Sequence, residues 1–262
     1  MCCFSQPTPT GWRRWLGGGR EPVRVSSTRL FARRDGGAQY LAYQMALDAP
    51  GDVAMVLPLP VARVADDALA FVDLSRAPQL FDQLARLFPN MAPQVTTAAR
   101  SLRKSAPAPR LVVHEVGSFE ASYVPSLADM TRLDPRFRIS DEIWRALPQY
   151  AAFGFAVFTL KRGARTIHPM AMRFDSAEPG SLFFPTVHVH DGALHATAGF
   201  DHELYAQADA LGSGEVAERA HLPAPAHVVI ENTRGVVDAR APVWRKQLRG
   251  VLDNRDTRIA LA

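Results

Sequence analysis

A β-rich α+β fold follows from three observations on this chain. Short strand-like runs are separated by Gly, Pro, Asn and Asp turn signals, the helical stripes are few and brief, and strands do not alternate regularly with helices. The expected architecture is antiparallel hairpins forming one or two packed sheets with three or four short helices. Residues 22–262 are expected to form one globular domain, preceded by a flexible N-terminal segment, residues 1–21, that ends in Gly17-Gly18-Gly19.

Val23 to Ala32 reads as the first strand of that domain. Residues 40–47 and 54–57 read as two more, with a turn over 48–52. Pro58 and Pro60 place the end of the latter strand, or a sheet edge, at that point. Leu80, Phe81, Leu84 and Leu87 share a helical stripe that Pro89 closes. Residues 90–109 carry no clear element. Leu111 to Tyr123 reads as a hairpin about Gly117-Ser118 that sets Glu115 opposite Glu120. Ser140 is placed to cap a short helix opening on Asp141 and Glu142. Phe153 to Leu160 reads as a strand and Thr166 to Phe174 as its partner. His227 to Asn232 reads as a final strand, and Pro242 as the first turn of a terminal helix carrying Val243, Trp244, Leu248, Val251 and Leu252.

Composition narrows the function classes. The chain has 262 residues, 47% of them hydrophobic and 21% charged, as a folded globular protein has. The net charge of +4 rests on 27 Arg against 3 Lys, scattered along the chain. No basic stripe with interleaved aromatics marks a nucleic-acid groove, so no nucleic-acid partner is expected. Pro58, Pro60 and Arg63 break the longest apolar run, far short of the ~20 residues a spanning helix needs. No membrane partner is expected, and with only the adjacent Cys2 and Cys3 there is no disulfide framework. A cytoplasmic setting is the expectation. No Gly-x-Ser-x-Gly elbow, phosphate loop or Cys-x-x-Cys pair is present.

Three short motifs, Met1-Cys2-Cys3-Phe4, Leu30-Phe31-Ala32-Arg33 and Met55-Val56-Leu57-Pro58-Leu59-Pro60, resemble those of a family of uncharacterised bacterial proteins. That family is a domain of unknown function with a Cys-rich start and a Val-Leu-Pro-Leu-Pro strand. The resemblance covers the first quarter of the chain and implies no catalytic residue.

The richest chemistry lies in Val187 to His195. Asp191-Gly192 is a two-residue turn signal, and a hairpin closed there sets His188 opposite His195, with His190 on the same face. Two imidazoles of a His-x-His pair stand about 6–7 Å apart on a strand. A third from the paired strand makes a three-ligand set with an open position, as in catalytic zinc sites. His188, His190 and His195 are therefore the candidate ligands of a divalent metal such as zinc, or the lining of an anion site. His202 and Glu203 are possible additional ligands. A solvated strand face accounts for the same residues.

The N-terminus offers a second chemistry. Removal of Met1 would leave Cys2 with a free α-amine able to take its thiol proton, the arrangement of an N-terminal-nucleophile amidohydrolase. The sequence thus leaves three functions open. They are a binding or hydrolytic protein with the histidine site, a cysteine amidohydrolase using Cys2, and a non-enzymatic interaction protein. The partner is a small molecule or another protein.

Overall fold

In the computed structural model, residues 2–5, 23–49, 51–88, 113–116, 119–160, 163–190 and 192–262 are described. The chain builds two stacked sheets. One runs in the order β12-β1-β4-β8-β7-β6 and the other β14-β15-β13-β2-β3-β10-β5, with β9 added beside β3. In the first sheet these strands are β1 (Cys2–Ser5), β4 (Val53–Leu59), β6 (Val113–Val116), β7 (Phe119–Val124), β8 (Gly154–Leu160) and β12 (His188–Val189). The second holds β2 (Arg24–Asp35), β3 (Ala38–Ala49), β5 (Leu69–Val72), β9 (Gly163–Thr166) and β10 (Met170–Asp175). It continues with β13 (Thr197–Gln207), β14 (Glu218–Arg219) and β15 (Val243–Asp253). A separate pair joins β11 (Ser181–Phe184) to β16 (Thr257–Ala260).

Burial explains the layering. Between the sheets lie Leu30, Leu41, Tyr43, Met55, Leu57, Phe158, Met172 and Leu204. The back of the first sheet, at Ala54, Val56, Phe155 and Val157, is covered by residues 130–153 around helix α2 (Asp141–Ala146). The back of the second, at Phe31, Ala42, Ala171 and Tyr205, is covered by helix α1 (Leu80–Ala85) and by Val228, Val236 and Val237. Strand β4 is buried along all seven residues, which is why it reads as a continuous apolar run. It ends at Leu59, as the prolines indicate, and Pro58 lies beyond the reach of β1, which pairs only with residues 54–56.

The expected β-rich fold with antiparallel sheets is the one observed, with several corrections. Two α-helices occur among the described residues, not three or four; the other helical segments are single 3₁₀ turns. The terminal helix expected after Pro242 is strand β15, paired with β13 over eleven positions. Its Val243 packs behind the second sheet while Trp244 and Leu248 pack between the sheets. Apolar residues on both faces of the strand imitate helical spacing. The final strand expected over 227–232 is a 3₁₀ turn at Ile230–Thr233. Thr166 to Phe174 does not pair with β8; β9 and β10 both pair with β3, in the other sheet. Residues 2–5 of the segment expected to be flexible form a strand, and residues 6–22 lie outside the described ones, as do Pro89 and residues 90–109. The Glu115–Glu120 register is as expected, although Gly117 and Ser118 also fall outside.

Candidate functional site

The hairpin expected across Asp191-Gly192 is not observed. His188–Val189 pairs parallel with Cys2–Cys3 instead, and residues 193–195 do not lie in a strand. Asp191 itself lies outside them. The physical reason is a side chain. Asn254 accepts the His188 backbone N–H at 2.7 Å through Oδ1, and its Nδ2 donates to the carbonyls of His188 and His195 at 2.9 Å each. Both backbone groups of His188 are thereby engaged by Asn254. The neighbouring Asp256 continues the clamp. Its carboxylate accepts the N–H groups of Thr186 at 2.9 Å and Val187 at 3.2 Å, and the Tyr150 hydroxyl donates to it at 2.6 Å.

The imidazoles nevertheless converge, in a different set. A cavity of about 590 Å³ is lined by His188, His190, His195, His202, Phe200 and Asp201, among others. His188 stacks on His190 with centroids 4.8 Å apart and on Phe200 at 4.5 Å. Its Nε2 lies 3.0 Å from Nε2 of His202, which is 2% exposed. The partner of His188 is thus His202. His195 lines the same cavity from an exposed position. Glu203 points to the other face of β13, where it accepts the Tyr205 hydroxyl at 3.0 Å and pairs with Arg249 at 3.1 Å. It is not a member of the cluster. The available signal was the period-2 pair Phe200 and His202, matching the His188 and His190 pair in side-chain alternation.

Asp201 stands behind His202. Its Oδ1 lies 3.5 Å from Nδ1 of His202, and its Oδ2 accepts the Ser27 N–H at 2.5 Å. Ser27 sits at the irregularity in β2 with φ of 53°, left-handed backbone that aims this N–H at the carboxylate. Burial pushes the Asp201 carboxyl up, but His202 and the N–H groups of Ser27 and Thr28 more than offset it, and its pKa is lowered. Nδ1 of His202 is buried without a hydrogen-bond partner among the described residues, and either ring can donate across the Nε2–Nε2 contact, according to tautomer. Burial lowers the His202 pKa against the pull of Asp201. Burial first, then His202 and His190, pushes His188 down to about 2. Both rings are neutral at physiological pH.

A carboxylate behind one ring of a converging imidazole pair is the arrangement that orients metal-bound histidines. No three His, Cys, Asp or Glu side chains among the described residues are placed together to hold a metal ion. Cys2 stands in register with His188 across the parallel pair. No helix among the described residues is long and apolar enough to cross a membrane.

No protein-family model matches the chain, and no curated protein matches it. Solved structures that align with the chain include the following three. A crystal structure of baculovirus P35 matches with a TM-score of 0.42 and 11% identity, over 91% of this chain and 97% of that one. A mutated baculovirus P35 after caspase cleavage gives 0.47 and 10%, over 90% and 100%. The caspase-8/P35 complex gives 0.44 and 9%, over 90% and 96%.

Proposed function

We propose that the chain binds a divalent metal ion such as zinc in the imidazole cavity, through His188 and His202. The observation that carries this reading is the 3.0 Å approach of the two Nε2 atoms, with Asp201 behind His202. Two nitrogens on a tetrahedral zinc, with bonds of about 2.0–2.1 Å, stand roughly 3.3 Å apart. An ion can take the place of the proton between these rings once the rings tilt to bring both lone pairs onto it, with the N···N separation little changed. Metal ligation needs neutral imidazoles, and the low pKa of His188 supplies one well into the acid range. Uncharged rings beside a carboxylate favour a cation over an anion. Two protein nitrogens leave positions for water or a small-molecule guest, against the wall formed by Phe200, Val23 and Val25.

Calorimetric titration of the full chain with zinc is the test. One equivalent is expected to bind, and His188→Ala and His202→Ala are each expected to abolish it. A wild-type chain that takes up no zinc overturns the reading.

A second reading, nucleophilic chemistry by Cys2 as in an N-terminal amidohydrolase, is favoured by the register of Cys2 with His188. Intact mass and alkylation test it. A protein that retains Met1, or whose Cys2 reacts no faster than free cysteine, removes it.

A further inference from the structure

Given the zinc site described above, on which this rests, we propose that the imidazole cavity takes a small carboxylate with an aliphatic body. One carboxylate oxygen ligates the metal and the other accepts the Thr28 hydroxyl. Thr28 lines the cavity and is 0% exposed, and its Oγ1 has no hydrogen-bond partner among the described residues. Burying a hydroxyl without a partner is unfavourable, so this one offers a hydrogen bond that a ligand can complete. Its place in the sheet sets it beside the metal. Arg29 pairs with Glu203 in the parallel β2–β13 ladder, and Thr28 and His202 are the residues just before them. Thr28 shares a face with Leu30, and His202 with Leu204, both packed between the sheets. Neighbouring strands lie about 4.8 Å apart, so the hydroxyl and the imidazole stand side by side.

Charge selects a carboxylate. Among the described residues that line the cavity there is no lysine or arginine. A divalent ion on two neutral imidazoles, with the Asp201 carboxylate behind one of them, leaves one positive charge uncompensated. A monoanion closes that balance, and a planar carboxylate presents one oxygen to the ion and a second to a hydroxyl donor. Shape selects the rest of the guest. The wall of Val23, Val25, Phe200 and Val251 carries no polar side chain and favours hydrocarbon. Val251 is 75% exposed, so this wall runs out to the surface and the body of the guest can follow it. At about 590 Å³ the cavity has the size of a small-molecule site. Without the ion its walls offer a carboxylate no cationic side chain, so binding of the guest follows zinc.

Calorimetry with hexanoate on the full chain, with and without one equivalent of zinc, is the test. The zinc-loaded chain is expected to bind hexanoate, and the zinc-free chain is not. Uncharged hexan-1-ol is expected to bind the zinc-loaded chain far more weakly. Thr28→Val is expected to weaken hexanoate by about tenfold, the worth of a hydrogen bond to a charged group. Its zinc affinity and urea midpoint are expected to hold, because the hydroxyl has no protein partner among the described residues to lose. Thr28→Ser is expected to restore hexanoate binding. N-acetyl-leucine separates two sources of this chemistry: tighter binding than hexanoate supports a peptide C-terminus, weaker binding a free aliphatic acid. Zinc uptake without hexanoate binding overturns this guest and leaves the metal site standing, whereas a chain that takes up no zinc overturns both. Equal hexanoate binding with and without zinc, equal binding of the alcohol, or unchanged binding in Thr28→Val each overturns the proposal.

Discussion

Asn254 grips His188 by both backbone groups, accepting its N–H at 2.7 Å and donating to its carbonyl at 2.9 Å. One amide side chain thus does what a neighbouring strand would do, and it adds a third bond to the His195 carbonyl. Asn254→Ala removes all three and leaves these groups to find water. The expected cost is about 1–3 kcal/mol in urea denaturation, with weaker zinc binding because His188 loses its register with His202. Asn254→Asp keeps an acceptor for the N–H but sets a carboxylate against two carbonyls, and is expected to rescue neither property. Unchanged zinc affinity in Asn254→Ala would show that this clamp does not position the ring.

Glu203 separates stability from binding. It is 6% exposed and shared by the Tyr205 hydroxyl and Arg249, on the face of β13 away from the imidazoles. Glu203→Gln leaves Arg249 without its carboxylate, and the change is expected to destabilise the fold by about 1–3 kcal/mol. Zinc affinity is expected to stay within twofold of wild type. A large loss of zinc binding in a folded Glu203→Gln chain would place this carboxylate among the ligands after all.

What the sequence revealed depended on the range of the interactions involved. The β6–β7 register was legible because the two strands are neighbours in sequence, as was β4, whose apolar run is buried along its length. His188 and His190 were legible as a pair because side-chain alternation is a property of the strand itself. Their partner was not. The Asp191-Gly192 signal argued for a local hairpin, but the backbone of His188 is bound by Asn254, 66 residues away, and its strand pairs with residues at the N-terminus. Nothing in the spacing of the histidines announces such long-range competitors. β15 was misread for a related reason: each of its faces meets a different core, so its pattern carries no clean alternation.

Gly154 opens β8 against Tyr123, and the contact leaves no room for a methyl group. A Cβ there would stand 2.3 Å from the Tyr123 hydroxyl oxygen and 2.8 Å from the ring carbons. Gly154→Ala must push the ring aside or shift the β7–β8 pairing, and is expected to cost about 1–3 kcal/mol. Adding Tyr123→Phe removes the nearest atom but not the ring, so partial recovery is expected. That hydroxyl is buried with no hydrogen-bond partner among the described residues, and burial pushes its pKa up to about 12. The single change Tyr123→Phe should therefore be close to neutral. Additive losses in the double variant would place the strain somewhere other than this contact.

Acid should weaken the fold in a window set by the histidines. In the unfolded chain His188 takes up a proton near its ordinary pKa of 6.5, whereas burial, with His202 and His190 beside it, holds the folded value at about 2. Below about pH 6.5 the unfolded state binds more protons than the native state, so stability falls as pH falls. His202 and His168, both lowered first by burial, act in the same direction. The slope for one such histidine approaches about 1.4 kcal/mol per pH unit. Asp201, whose folded pKa is also lowered, adds its loss only below the ordinary carboxylate range, so pH 7.5 to 5 isolates the imidazoles. Urea unfolding across that interval should show a steady decline in wild type. His188→Phe keeps a ring to stack on Phe200 but carries no proton, and its decline should be shallower. An equal slope in both chains would mean that His188 is not held neutral by the fold.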